Sequence, residues 1–439
     1  MKRVLIISYY WPPTGGSGVQ RWVKFAKYLP SEGWQPVIYT PENPEQLAID
    51  ASLEAEVPAE AEIIRTRIIE PYTLYKKLLR KSGHSKEAVE VNPVNAQNKS
   101  LLQKAAMWVR GNLFRPDPRC LWIGPSVRFL KKYLQDHPVD LIVSTGPPQS
   151  MHMIGLKLSR ETGLPWIADF RDPWTRIFYF KHLSMTPATE RWHQKMEKMV
   201  LDNATAVVAV SPLVQKEFQE MTDTPVELIT NGFDECDFSM EKCPEPFGGP
   251  DKDFIITHTG LFAADGNPTI LWDVLSERCA SDPSFRKHLK IRLIGKNDEQ
   301  IIKALHKRGL GDQLEDMGYQ PHSVAVNEQR RASLLILPLR KEPEYKAVLP
   351  GKLFEYLASW RPVLGIGQPD GAMAMIFDKT GTGKVLDWED KEAVSEFIGQ
   401  CWEEHLEGRL TVNDADFSQF TRRNLTRAMA ALFEKTIRP

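Results

Sequence analysis

Short runs of apolar, often β-branched residues alternate along the chain with longer stretches whose apolar positions recur every three or four residues. In the first half the runs fall at 4–7, 36–39, 62–66, 141–144, 166–170 and 206–210; in the second half they fall at 254–257, 291–294, 334–337 and 363–366. Near-continuous apolar runs are typical of parallel strands buried on both faces, and the helical stretches between them supply the cover. The pattern predicts an α/β chain with two doubly wound domains. Asn231-Gly232-Phe233-Asp234 is a turn signal, and the Pro- and Gly-rich stretch 243–250 follows it before the run at 254. The expected division is a first domain over 1–232, a second over 233–415, and a terminal helix within 416–439. In that helix Leu425, Met429, Ala430, Leu432 and Phe433 stand at helical spacing.

Composition narrows the function classes. The 439 residues carry 56 Lys+Arg against 57 Asp+Glu, a formal net charge of -1, which gives no reason to expect nucleic-acid binding. No apolar run reaches the roughly 18 residues of a membrane span, and the start reads as a strand rather than a signal peptide, so a cytoplasmic location is expected. The five cysteines form an odd set without CxxC spacing, so neither a disulfide framework nor a structural zinc is expected.

Candidate chemistry lies in the loops that follow the strands. After the first strand, Thr14-Gly15-Gly16-Ser17-Gly18 leads into a helix carrying Val19, Trp22, Val23, Ala26 and Leu29 on one face. Glycines there let a ligand approach the backbone, and a helix N-terminus offers N–H groups to an anion; a tight turn without a ligand fits equally well. The spacing does not match GxGxxG, which disfavours a dinucleotide site and ranks an oxidoreductase last. In the second half, Pro350-Gly351-Lys352-Leu353-Phe354-Glu355-Tyr356-Leu357-Ala358-Ser359 opens a short helix. Lys352, Glu355 and Ser359 fall on one face, where an ammonium and a carboxylate could bind phosphate and a sugar diol, or simply form a surface ion pair. Asp169-Phe170-Arg171-Asp172 ends another strand; Asp172 is a candidate acid–base or positioning group for an acceptor hydroxyl, the alternative being an Asp/Arg pair that caps the strand. His152 follows the strand at 141–144 on a helical stretch, where a packed histidine competes with an acceptor-side role.

Taken in order, these segments resemble family 4 glycosyltransferases of the GT-B fold. That resemblance implies two Rossmann-like domains facing across a cleft, with a C-terminal helix crossing back to the first. It implies a retaining transfer of a hexosyl or N-acetylhexosaminyl group from a nucleoside diphosphate sugar to a carbohydrate or lipid-linked acceptor, as in polysaccharide or glycolipid assembly. The first domain would take the acceptor and the second the donor, with no metal or further cofactor. Glu355 corresponds to the residue that holds the ribose, and Gly15, Gly16 and Gly18 to the loop near the diphosphate. His258-Thr259-Gly260 corresponds to the strand and turn that open the second domain.

The departures from the family pattern are specific. Ala347 stands where many members carry a first glutamate, so Glu342 or Glu344 fills that role from a shifted loop, or the role is dispensed with. The turn Gly260-Leu261-Phe262-Ala263-Ala264-Asp265-Gly266-Asn267 lacks the usual Arg and Lys. Lys296, Arg340, Lys341 and Lys352 are candidates to replace them, with Lys352 preferred, and Asn267-Pro268 reads as a helix cap whose dipole could assist. Basic and apolar residues mix at 75–81 and 107–115, so the segment 70–115 is either a membrane-contact surface, placing the enzyme at the inner membrane face, or amphipathic helix packed on its own domain. Two alternatives stand beside the transferase: a nucleotide-sugar 2-epimerase of the same fold, and a sugar-nucleotide-binding protein without activity.

Overall fold

A computed structural model describes residues 1–45, 49–70, 101–238, 248–412 and 416–438. The basic run at 75–81, the 243–247 part of the Pro/Gly-rich stretch and Cys243 lie outside the described residues. The chain forms two compact units, Met1–Thr230 with Arg423–Pro439, and Asn231–Arg422.

The first unit contains the strands β1 (Lys2–Ile7), β2 (Trp34–Pro41), β3 (Glu62–Thr66), β4 (Leu141–Gly146), β5 (Trp166–Phe170), β6 (Ala206–Ala209) and β7 (Val226–Leu228). They pair in parallel in the order β3-β2-β1-β4-β5-β6-β7. Its helices are α1 (Ser17–Tyr28), α2 (Leu101–Leu113), α3 (Cys120–Asp136), α4 (Ser150–Thr162), α5 (Pro187–Asn203) and α6 (Pro212–Met221). Local sequence fixes several helix starts: at α5, Thr186 accepts from the N–H of Thr189 while Pro187 occupies the first turn, where its missing N–H costs nothing.

The second unit contains β8 (Phe254–Thr259), β9 (Leu289–Ile294), β10 (Leu314–Gly318), β11 (Leu334–Pro338), β12 (Val363–Ile366) and β13 (Gly383–Leu386), in the order β10-β9-β8-β11-β12-β13. All its strand pairs are parallel. Helices α7 (Thr269–Ser281), α8 (Pro283–His288), α9 (Glu299–Lys307), α10 (His322–Arg331), α11 (Gly351–Ala358), α12 (Ala372–Thr380) and α13 (Lys391–Leu406) cover it. The terminal helix α14 (Arg422–Ile437) belongs to the first unit: Leu425, Met429 and Phe433 join a core with Val4, Ile6, Trp22, Trp34 and Val143, and Phe433 meets Trp34 edge-on at 5.1 Å. The second unit has its own core around Phe254, Ile256, Trp272, Leu293, Ile336 and Trp402.

Strands β7, β10 and β13 have no counterpart in the hydrophobic pattern. All three are sheet edges, short and only partly buried, so they lack the two-sided apolar run that marks a central strand. The expected cap at Asn267-Pro268 does not form: α7 starts at Thr269 without a side-chain cap, and the Asn267 carboxamide oxygen accepts from Trp272 Nε1 at 2.7 Å. Among the described residues no helix is long and apolar enough to cross a membrane.

Each sheet has a switch point where the strand order reverses, between β1 and β4 in one unit and between β8 and β11 in the other. In open parallel sheets the crevice outside the carboxyl ends at such a point is where ligands bind.

Candidate functional site

In the second unit that crevice is built by two glycine turns and one helix start. β8 is followed by Gly260, at φ +93°, and β9 by Gly295, at φ +124°. The Gly260 N–H donates to the Ile294 carbonyl at 2.7 Å, and the Gly260 carbonyl lies so close to Gly295 that a Cβ there would collide with it. Only glycine satisfies both the left-handed backbone and the approach.

Over this turn stands Lys352, on the first turn of α11. Its Nζ lies 3.2 Å from His258 Nε2 and 3.5 Å from the Leu261 carbonyl, and a Cβ on Gly260 would come within 3.2 Å of it. His258 is buried and its Nδ1 donates to the Ile336 carbonyl at 3.1 Å, across the β8/β11 junction. Burial, reinforced by the Lys352 charge, holds the imidazole well below the ordinary histidine range, so it is neutral and its Nε2 accepts from the ammonium. Burial also lowers Lys352 to about 8, with Glu355 opposing the shift. A desolvated cation beside a glycine turn is suited to an anionic ligand, which would restore the charge balance.

Glu355 lies one turn further along α11, half-buried, and its Oε2 accepts from Gln329 Nε2 at 3.3 Å. Ser359 does not share this face with Lys352 and Glu355: it is buried at the end of α11, with its hydroxyl on the Tyr356 carbonyl. Lys296 follows Gly295 and is exposed; among the described residues its ammonium has no ion-pair partner. Arg340 pairs with Asp265 at 3.0 Å and Lys341 with Glu389 at 3.7 Å. Ala347 closes the short helix Pro343–Ala347 that carries Glu344, and Glu342 precedes it.

In the first unit the strand-end loops are tied together by Arg171. Its guanidinium donates to the carbonyls of Gly18 (2.6 Å), Gly146 (3.3 Å) and Pro147, which lie after β1, at the end of β4 and just beyond it. A Cβ on Gly18 would meet the Arg171 guanidinium at 2.8 Å, so a larger residue there would push this tie aside. Gly16, at φ +104°, precedes α1 and provides no side-chain cap, leaving the first N–H groups of that helix for other acceptors. Gly15 packs against Asp50, where a Cβ would meet the Asp50 Cβ at 2.9 Å.

Asp169 and Asp172 have different roles. Asp169 is fully buried and pairs with Arg21 at 2.8 Å, while Trp22 Nε1 (2.8 Å) and the Thr145 hydroxyl (2.9 Å) donate to its other oxygen. Although burial alone would raise it, the Arg21 charge and these donors hold its carboxyl below the usual carboxylate range. Arg21 also donates to the carbonyls of Ile229 (2.9 Å) and Thr230 (2.7 Å). Asp172 is partly exposed, and among the described residues no hydrogen bond holds its carboxylate. Burial pushes it up to about 6 against the pull of Arg171, a value suited to accepting a proton near neutral pH.

His152 is fully buried on α4, stacked on Phe170 at 4.3 Å between ring centres. Ser144 Oγ receives the Trp166 Nε1 hydrogen (2.8 Å) and lies 2.9 Å from His152 Nδ1, in hydrogen-bond contact with it. Burial lowers this histidine to about 3. Among the described residues its Nε2 has no hydrogen-bond partner; it faces Gly146, where a Cβ would come within 2.5 Å.

The structure thus gathers Gly260, Lys352 and Glu355 at the β8/β11 end of one unit, with Lys296 at the end of the adjoining β9. It gathers Gly18, His152 and Asp172 around the ends of β1, β4 and β5 in the other. His258 and Gln329 were not singled out as site residues by sequence reasoning. His258 lay in a quoted motif, whereas Gln329, in the last turn of a polar helix, gives no local signal. Among the described residues no group of three or more His, Cys, Asp or Glu side chains is placed to hold a metal ion.

Comparison with known proteins agrees with this architecture. Residues 79–235 match the family described as Glycosyltransferase Family 4. No curated protein sequence matches the chain. Solved structures resemble it over nearly the full length of both chains. Sucrose-phosphate synthase from Thermosynechococcus elongatus superposes with a TM-score of 0.60 at 14% identity, covering 99% of each chain. HepE from Anabaena, in complex with UDP-glucose, gives 0.55 at 15% identity, covering 100% of this chain and 98% of that one. A Listeria monocytogenes protein assigned as a UDP-N-acetylglucosamine 2-epimerase gives 0.54 at 10% identity, covering 99% and 98%. The chain is a GT-B protein whose residues 79–235 carry the family 4 glycosyltransferase pattern.

Proposed function

We propose that the protein is a retaining glycosyltransferase that moves a hexosyl or N-acetylhexosaminyl group from a nucleoside diphosphate sugar to the hydroxyl of a carbohydrate or lipid-linked acceptor. The assembly of a cell-surface polysaccharide or glycolipid is the setting that suits such a product. The observation that carries this reading is the desolvated Lys352 ammonium over the Gly260 turn, with Glu355 one turn further on the same helix.

In glycosyl transfer, negative charge grows on the departing diphosphate, so preorganised donors at that point lower the barrier more than a strong nucleophile would. Lys352, with Lys296 nearby, would meet that charge, and Glu355 would accept the ribose hydroxyls. On the acceptor side Asp172 would take up or orient the hydroxyl proton; His152, fully buried against Phe170 and Gly146, is a packed histidine rather than a group that touches the acceptor. No cofactor besides the donor substrate enters this scheme. Exposed Trp108, Val109 and Leu113 on α2, beside Arg110, support membrane contact by the acceptor unit, and pelleting with anionic liposomes tests it.

The test is turnover. Sugar nucleotides with different bases are incubated with and without extracts of glycan acceptors, and release of nucleoside diphosphate is followed for wild type, Lys352→Met and Glu355→Ala. Acceptor-dependent release that both substitutions abolish supports the reading; release unaffected by both refutes it. The fold likeness to the Listeria protein favours 2-epimerisation as a second reading, which predicts conversion of a single sugar nucleotide into its epimer without any acceptor.

A further inference from the structure

The carboxylate that the proposed reading assigns to the ribose does not stand by itself. Gln329, on α10, is 1% exposed, and its Nε2 donates both to Thr259 Oγ1 at 3.0 Å and to Glu355 Oε2 at 3.3 Å. Thr259 in turn gives its backbone N–H to the Tyr356 hydroxyl at 2.9 Å, so the end of β8, the last turn of α10 and the face of α11 meet in one network. The amide orientation is fixed by charge: a carboxylate accepts only, so the NH2 end must face Glu355. That orientation leaves Gln329 Oε1 buried without a partner among the described residues.

A buried, unpaired carbonyl is costly, and an apolar side chain of the same length would avoid the cost. That cost is offset by the two hydrogen bonds the amide donates, to Thr259 Oγ1 and to Glu355 Oε2, and only the second reaches the proposed ribose site. We infer that Gln329 is a positioning residue: it holds the Glu355 carboxylate in the rotamer that accepts a ribose diol, and so sets discrimination for ribonucleotide over deoxyribonucleotide donors. This rests on the ribose role proposed for Glu355. Gln329 itself touches no reacting atom in this scheme.

The experiment measures calorimetric binding of UDP, GDP, ADP and CDP and their 2′-deoxy counterparts to wild type, Gln329→Met, Gln329→Asn and Glu355→Gln, using the full chain. Methionine preserves volume without any amide. Wild type is expected to prefer the best-bound ribonucleotide over its deoxy form by about tenfold or more, as for a lost hydrogen bond to a charged group. In Gln329→Met that ratio should fall below threefold, with affinity for the deoxy form unchanged within twofold. A purely structural role would weaken both forms equally. In Gln329→Asn, whose shorter arm keeps the amide but not the reach, the ratio should also collapse. A ratio retained in Gln329→Met but lost in Glu355→Gln overturns the positioning role and leaves the ribose reading standing. A ratio retained in Glu355→Gln, or no binding of any of the four to wild type, overturns both.

Discussion

Lys352 Nζ and His258 Nε2 stand 3.2 Å apart, with the ammonium as donor and the neutral imidazole as acceptor. Burial nevertheless lowers the Lys352 ammonium to about 8 from the ordinary 10.5, with Glu355 opposing the shift. Two pH effects of opposite sign follow. Between about pH 8 and 10.5 the unfolded chain binds a proton that the folded chain has released, so stability rises with pH in that window. Binding of a nucleoside diphosphate, which needs the ammonium, should weaken about tenfold per unit above pH 8. Calorimetry and chemical denaturation from pH 6.5 to 10.5, with Lys352→Met as reference, check both; in the variant neither slope should remain.

Asp172 has the reverse linkage. Its carboxyl is raised by burial to about 6 from 3.8, so the folded chain keeps a proton that the unfolded chain loses. Stability should fall as pH rises from about 4 to 6 and level off above, and Asp172→Asn should remove that slope. If Asp172 accepts the acceptor proton, kcat/KM falls below about pH 6, and Asp172→Asn lowers turnover by about 10²–10⁴-fold.

The Arg21–Asp169 pair is structural. Asp169→Asn leaves a buried guanidinium without its counter-ion and should cost about 3–5 kcal/mol in urea denaturation. The double variant Arg21→Met/Asp169→Leu should cost less than Asp169→Asn alone, because it removes both charges together. The stability of the pair is lost on acidification only below the ordinary carboxylate range, since Arg21 and the two neutral donors lower the Asp169 pKa.

The two glycine turns under Lys352 should differ in tolerance. Gly260→Ala adds left-handed strain of about 1–2 kcal/mol and crowds only the end of a lysine side chain at 3.2 Å. Gly295→Ala adds comparable strain and drives a methyl into a backbone carbonyl, a clash worth about 1–3 kcal/mol more. Denaturation midpoints should rank wild type, Gly260→Ala and Gly295→Ala in that order. Gly260→Ala alone should be folded yet weakened in nucleoside diphosphate binding.

The central strands and the chain order of the loops were legible because parallel strands buried on both faces leave an unbroken apolar run, and because chemistry in such sheets collects after their carboxyl ends. The edge strands β7, β10 and β13 were not legible, since an edge needs only a few partly polar residues to pair. Asn267 shows the limit of local rules: it has the form of a helix cap, but a tryptophan five residues later takes its carboxamide. Asp169 and Asp172 lie three residues apart and were read as one cluster; only the fold assigns one to a buried ion pair and leaves the other unbound. Gln329 lies far in sequence from Thr259 and Glu355, and nothing in its own segment indicates that it meets both.

The placement of α14 has a consequence for how the chain is made. Lys2 and Glu434 are 432 positions apart and form an ion pair, and Trp34 is covered by Phe433. During synthesis the first unit therefore emerges with one wall of its core missing, while the second unit, continuous in sequence, can close on its own. At about 5–20 residues per second, the apolar surface around Trp34 waits tens of seconds for its cover. The first unit to be translated is the last to finish folding, and in that interval it is the part of the chain most exposed to chaperones and proteases.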